Sequence, residues 1–213
     1  QVYGLTETNG TVTILDPQDH HPSKNKLRSC GKPGPGVEIK IVDESGNKVS
    51  TGEVGEILIK SATNMKGYWN KSEATLSAFK EDWFISGDAG YYDEEGFLYI
   101  HDRVKDMIVS GAENIYPAEV DNALMSHPEI IDAAVIGIPD EKWGEVVKGF
   151  VVIGKDSQLD ENGIISYART QIAGFKCPKS IDFVNELPRN PSGKILRREL
   201  RAPYWEGRDR NVS

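Results

Sequence analysis

The periodicity of this chain changes around Asp102-Arg103-Val104-Lys105-Asp106, and the change limits what the chain can fold into. Before it, Val37, Ile39 and Ile41 alternate with Glu38 and Lys40, the period-two pattern of a half-buried strand. Asp43-Glu44-Ser45-Gly46-Asn47 supplies a turn, and further strands are predicted over 54–60, 83–85 and 97–100, with one short helix within 71–79. After it, helix and strand patterns alternate. Pro117 opens a helix with Val120 and Leu124 four apart, which ends at His127-Pro128 with His127 as its C-terminal cap. Strands follow at 132–138, 148–153 and 181–184, and a helix over 160–173 takes Asp160 as its N-cap. The expected fold is α+β: a small antiparallel β-barrel or sheet subdomain, then a small mixed α+β C-terminal domain.

Charge and composition exclude several functions. A formal net charge of -8 argues against wholesale nucleic-acid binding, which favours basic surfaces. No apolar run approaches the ~18 residues of a membrane span. The start, Gln1-Val2-Tyr3-Gly4, shows no signal-peptide pattern. Cys30 and Cys177 lie far apart and fit no metal spacing, so two reduced thiols in a cytoplasmic protein are expected.

Four stretches offer chemistry, each with a plainer alternative. Tyr3-Gly4-Leu5-Thr6-Glu7-Thr8 sets an aromatic face, a flexible backbone, two hydroxyls and a carboxylate within six residues. That set could stack a base, bond a phosphate and hold Mg²⁺, which prefers hard oxygen ligands; it could also be a polar loop in the weakly periodic segment 1–36. Asp88, after Ser86 and Gly87, is either a ligand-facing carboxylate at a strand end or a turn-former. In Ser110-Gly111-Ala112, glycine permits backbone angles that a side chain would forbid. Pro191-Ser192-Gly193 presents Lys194 before a helix whose Ile195, Leu196 and Leu200 can pack inward. A lysine so held suits developing negative charge, or is a solvated surface lysine. The arginines that follow (Arg197, Arg198, Arg201, Arg208, Arg210) read as a solvated basic face.

Five motifs in order resemble the adenylate-forming acyl-CoA synthetases, a family that includes luciferases and peptide-synthetase adenylation domains. They are Y-G-L-T-E at 3–7, G-E-I-L-I-K with G-Y-W-N at 55–70, S-G-D at 86–88, D-R-V-K-D at 102–106 with G-A-E-N-I-Y-P-A-E-V-D, and P-S-G-K at 191–194. The resemblance implies that Tyr3, beside Gly4, stacks on adenine, that Thr6 bonds the α-phosphate and that Glu7 holds Mg²⁺. It implies that Asp88 accepts from the ribose hydroxyls and that Arg103 contacts ribose or phosphate. Lys194 would bridge carboxylate and α-phosphate while the acyl-adenylate forms. Residues 1–102 would then be the last part of a large AMP-binding domain, 103–105 a hinge centred on Lys105, and 106–213 a small mobile domain. Gly111 would line the pantetheine channel, with Trp143, Phe175 and Lys179 holding the coenzyme A nucleotide; Trp143 and Phe175 read equally as core residues. Ala112 stands where many relatives have a second glycine, and Cys177 where some have arginine.

No Ser/Thr/Gly-rich phosphate loop with a lysine precedes Tyr3, so the chain is expected to be a C-terminal fragment that needs an N-terminal domain for activity. The implied reaction joins a carboxylic acid, fatty or aryl, to coenzyme A at the expense of ATP. A homodimer is compatible with this. Two other readings stay open: a non-catalytic AMP-binding regulatory module, and an adenylating enzyme whose acceptor is a carrier protein.

Overall fold

A computed structural model describes residues 1–208 of the chain, which divides into two compact units, Gln1–Val104 and Lys105–Ser213. The fold is α+β, with mostly antiparallel sheets and few helices.

In the first unit, β1 (Val2–Leu5), β2 (Gly10–Ile14) and β3 (Lys32–Pro33) form a three-stranded sheet. The weakly periodic segment 1–36 is thus part strand; period two is faint there because Val2 and Ile14 are exposed while Val12 and Thr13, neighbours on β2, are both buried. A second sheet contains β4 (Val37–Val42), β5 (Gly55–Ser61), β6 (Phe79–Lys80), β7 (Trp83–Tyr92) and β8 (Leu98–Arg103). The ten-residue β7 is the shared strand: β6 pairs with its start, β8 with its end, and β5 along its other edge. The helix within 71–79 is α1 (Ser72–Ser77). The two sheets are joined where Cys30 N donates to Leu98 O (2.9 Å) and Leu98 N to Gly31 O (2.8 Å). Val12, Cys30, Ile41, Ile57, Ile59, Phe84 and Leu98 pack between them as one core.

In the second unit, β9 (Ile108–Ser110), β10 (Glu113–Ile115), α2 (Pro117–Met125), β11 (Ile130–Asp140), β12 (Gly144–Ile153), α3 (Glu161–Gln171), β13 (Ser180–Phe183) and α4 (Arg197–Arg201) follow in order. The strand order is β10-β9-β12-β11, with β13 parallel to β12. Asp160 caps α3, accepting from Gly163 N at 2.8 Å. The expected cap of α2 differs: Ser126 occupies that position, while the His127 ring accepts from Glu129 N and packs edge-on against Tyr167.

β11 is apolar at consecutive positions because both its faces are covered. Ala133 and Val135 join a core shared with α2 and α3. Ala134 and Ile136 face Phe150 and Leu187, and onto that side pack Ile195, Leu200 and Tyr204. Ile195 and Leu200, partly buried against that side, tie the segment bearing Lys194 to it.

Gly4 marks a close approach: a Cβ there would lie 2.0 Å from Gly10 O on β2. We expect Gly4→Ala to cost about 3 kcal/mol or more, because backbone and not a flexible side chain must yield. Urea unfolding followed by tryptophan fluorescence checks this.

Candidate active site

β7 and β8 set Asp88 opposite Arg103 as cross-strand partners. The Arg103 guanidinium pairs with Asp88 Oδ1 at 2.9 Å, and the Tyr3 hydroxyl, arriving on β1, donates to Oδ2 at 2.7 Å. Asp88 is only 6% exposed, whereas the Arg103 side chain is half-exposed. Ser86 Oγ accepts from Asp88 N (3.0 Å), which fixes the turn that aims the carboxylate. Burial first, then the Asp88 charge, pushes the Tyr3 hydroxyl pKa far above the ordinary phenol range, so it stays a neutral donor.

Thr6, Glu7 and Thr8 form one 3₁₀ turn after β1. The two hydroxyls there have different duties. Thr8 is buried and donates to Leu5 O (2.9 Å) while accepting from Leu5 N (3.0 Å), whereas Thr6 is exposed. Glu7 accepts from the Tyr68 hydroxyl at 3.0 Å, and Met65 N donates to Glu7 O at 2.7 Å. Tyr68, a member of G-Y-W-N, thus holds the acidic residue of the first motif. The motif was visible, but nothing in sequence assigned Tyr68 a partner 61 positions away. Among the described residues no group of three His, Cys, Asp or Glu is placed to hold a metal. Glu7 offers a single carboxylate, which fits Mg²⁺, since that ion keeps several waters and takes one or two carboxylates plus substrate phosphates.

In the second unit, Gly111 (φ 60°) and Ala112 (φ 67°) are the two central residues of the β9–β10 hairpin turn. Both carry positive φ, as a type I′ turn requires. Gly111 N donates to Trp143 O (2.9 Å), and a Cβ on Gly111 would stand 2.6 Å from the Trp143 ring. The indole lies directly against the turn, so a side chain at position 111 would have to displace it. Ala112 bears a methyl in the left-handed region, at a cost of roughly 1–2 kcal/mol. Trp143 is 46% and Phe175 48% exposed, so neither is a core residue. Each meets its own lysine, Lys142 over Trp143 at 4.6 Å and Lys176 near Phe175 at 5.8 Å. Lys179 is exposed and donates its backbone N–H to Val147 O.

Lys194 is exposed on a turn built around Asn190. Asn190 Oδ1 accepts from Ser192 N (3.0 Å), Ser192 Oγ (2.8 Å) and Lys194 N (2.9 Å). Arg189 donates to Gly193 O and pairs with Asp132 at 2.7 Å. Sequence reasoning found the lysine and missed Asn190 and Arg189; an Asn four residues before it was the available signal. The basic tail is not one solvated face. Arg197 and Arg201 are buried against Asp121 and Asp106, Arg198 and Arg208 are exposed, and Arg210 lies outside the described residues.

Residues 1–69 match the family model described as AMP-binding enzyme, and residues 119–194 match the AMP-binding enzyme C-terminal domain. The chain belongs to the AMP-binding enzymes. It is 42% identical over 213 residues to a fatty acid–acyl-carrier-protein ligase of Streptomyces coeruleorubidus, covering all of this chain and 41% of that protein. It is 44% identical over 204 residues to a feruloyl-CoA synthase of Amycolatopsis, 96% of this chain and 41% of that one. The o-succinylbenzoate CoA synthetase of Bacillus subtilis, solved with its acyl-adenylate, superposes with a TM-score of 0.85 at 40% identity, over 94% of this chain and 40% of that one. The same synthetase has also been solved with ATP and a magnesium ion. The chain thus spans about 40% of the length of the relatives it matches. Among the described residues no helix is long and apolar enough to cross a membrane.

One group beside this site makes stability depend on pH. Glu56 is held above the ordinary carboxylate range by burial first and by the Asp88 charge second, with a Gly87 N–H opposing. A carboxyl raised in the folded state stabilises the fold at low pH and loses that contribution as pH rises. Glu56→Gln should therefore give a higher urea midpoint than the parent at about pH 7, with the gain disappearing toward about pH 4. Equal midpoints at neutral pH would refute the assignment.

Proposed function

We propose that this chain is the C-terminal part of an AMP-forming acid–coenzyme A ligase, acting together with an N-terminal domain that binds the outer phosphates of ATP and the acid. The observation that carries the reading is the convergence of Tyr3 and Arg103 on the buried Asp88 carboxylate. Asp88, its carboxylate fixed by these two side chains, accepts from the ribose hydroxyls, and the half-exposed Arg103 lies beside the ribose and phosphate. Tyr3 presents its ring to adenine while its hydroxyl is tied down, so the stacking surface is pre-set. Thr6, exposed at the end of β1, donates to the α-phosphate. Glu7, oriented by Tyr68, would hold Mg²⁺, which neutralises charge on the phosphates when bound.

In the first half-reaction an acid oxygen attacks the α-phosphorus, the bond to the bridging oxygen breaks, and pyrophosphate leaves. Charge builds on the non-bridging oxygens, and the Lys194 ammonium, aimed by the Asn190 turn, stabilises it. In the second, the thiolate of coenzyme A attacks the acyl carbonyl, the carbon–oxygen bond of the mixed anhydride breaks, and AMP leaves. Gly111 would line the pantetheine channel, with Trp143 packed against the turn that carries it. Reorientation about Lys105 exchanges the Lys194 end for the Gly111 hairpin between the two steps, a hinge motion in which few residues absorb the backbone change. The reading puts the protein in the cytoplasm, where ATP and coenzyme A are supplied, and is compatible with a homodimer.

A second reading concerns the acceptor alone. The 42% identical fatty acid–acyl-carrier-protein ligase makes a carrier-protein acceptor the alternative to coenzyme A. The exposed rings of Trp143, with Lys142 over it, and of Phe175 favour an adenine nucleotide. Trp143→Ala should weaken coenzyme A binding about tenfold by calorimetry; unchanged affinity would point to the carrier protein.

For the first half-reaction, Lys194→Ala in the intact ligase should lower acid-dependent pyrophosphate exchange by about 100-fold or more. Thioester formation from supplied acyl-adenylate should stay within about threefold of the parent. Exchange at the normal rate would overturn the assignment.

A further inference from the structure

Helix α4 begins three positions after Lys194 and carries two arginines one helical turn apart, each largely covered and paired with its own carboxylate. Arg197 meets Asp121 on α2, whose other oxygen accepts from Val135 N at 2.8 Å. Arg201 meets a different part of the chain. One terminal nitrogen pairs with Asp106 Oδ1 at 2.6 Å and the other donates to Lys105 O at 3.2 Å. The side chains of Arg201 and Asp106 are only 14% and 15% exposed. The Nε of Arg201 is buried without a hydrogen-bond partner among the described residues. A buried cation is tolerated only where partners offset its lost hydration. For Arg201 those partners are the first two residues of the second unit.

We propose that Arg201 is a positioning residue that clamps the Lys105–Asp106 segment to the helix behind the lysine turn, so that the two reorient as one rigid piece. The proposal rests on the ligase reading, in which the chain turns about Lys105 and Lys194 acts at the α-phosphate. The requirement is mechanical. A displacement of about 1 Å at a reacting group can cost on the order of 100-fold in rate, and Lys194 lies 89 residues from Lys105 along the chain. Arg201 replaces that path with one side chain and the seven positions that separate Lys194 from Arg201. Arg197 is the internal comparison, since it fastens the same helix to Asp121 on α2.

The test uses Arg201→Gln, Arg201→Lys and Arg197→Gln. In the intact ligase, Arg201→Gln should slow pyrophosphate exchange by about 10- to 100-fold, with KM for ATP and acid within about twofold. Thioester formation from supplied acyl-adenylate should fall less than about threefold, and Arg201→Lys should recover about half of the loss on a logarithmic scale. Arg197→Gln should lower the melting temperature without splitting the half-reactions. Equal losses in both half-reactions, no loss, or the same split in Arg197→Gln would overturn the proposal. Hydrogen exchange on the present chain provides a readout independent of activity. Arg201→Gln should raise exchange by about tenfold or more at the amides of 106–108 and of 193–201 together, with the amides of β11 and β12 unchanged. If only one of the two segments loosens, the clamp is refuted whatever the enzyme does. If both loosen but the parent makes no acyl-adenylate, the clamp stands and the ligase reading fails.

Discussion

Burying a carboxylate requires partners for its charge, and Asp88, only 6% exposed, draws its partners from both ends of the first unit. Tyr3 comes from the first strand and Arg103 from the last, 100 residues apart in sequence. Neither contact forms unless β1 is seated beside the second sheet and β8 is paired along β7 in the observed register. A slip of one residue would turn Arg103 to the opposite face. The polar site is therefore a consequence of the fold being complete, and each of its members is preset before any ligand arrives. The Ser86 hydroxyl, bound to the Asp88 amide, makes the turn itself part of that arrangement.

The lysine turn obeys a different rule. The Lys194 side chain, proposed to act at the α-phosphate, leaves its support to others: Asn190 and Arg189 hold the backbone, and Ile195 and Leu200 pack on the far side. An ammonium on a four-carbon stem is a mobile point charge. Fixing its Cα while leaving the stem exposed lets it reach a developing charge without incurring the desolvation penalty of a buried lysine. Lys148 is the contrasting case, buried between Asp182, Phe150 and Tyr204, where it serves packing and is closed to any ligand.

Much of this was legible in the residues themselves. Alternation in 37–41 marked β4, and the bounds of α2 and the cap of α3 came from Pro117, Met125 and Asp160. These are local signals, with pattern and terminus within one element. The pairing of β1 with β2 was hidden because burial there does not follow polarity: Val2 and Ile14 are exposed while Thr13 is buried. The exposure of Trp143 was hidden too, since an aromatic beside a turn reads the same whether it packs inward or lies on the turn backbone. Tyr68 with Glu7, Arg201 with Asp106 and Arg197 with Asp121 are contacts of 61, 95 and 76 positions. Nothing in their immediate neighbours marks them. Reading the arginines as one basic face failed for this reason: helical spacing put two of the five against carboxylates that the sequence presents far away.

Division of labour between two units asks that each keep its shape whatever the other does. The hydrophobic clusters meet that demand. Val12, Ile57 and Leu98 belong to a core drawn wholly from 1–104, and the clusters about Val135 and about Ile136 draw wholly on residues after 105. A change of orientation between such units alters no buried apolar area in any of these clusters, and so does not draw on the few kcal/mol that separate folded from unfolded. The proposed reorientation about Lys105 needs stiffness immediately beyond that residue, because angular slack there is multiplied at every residue farther out. Apolar packing cannot supply it at Lys105, which is exposed. Directional bonds can, and the two that Arg201 makes to Lys105 and Asp106 fall where slack would be multiplied most.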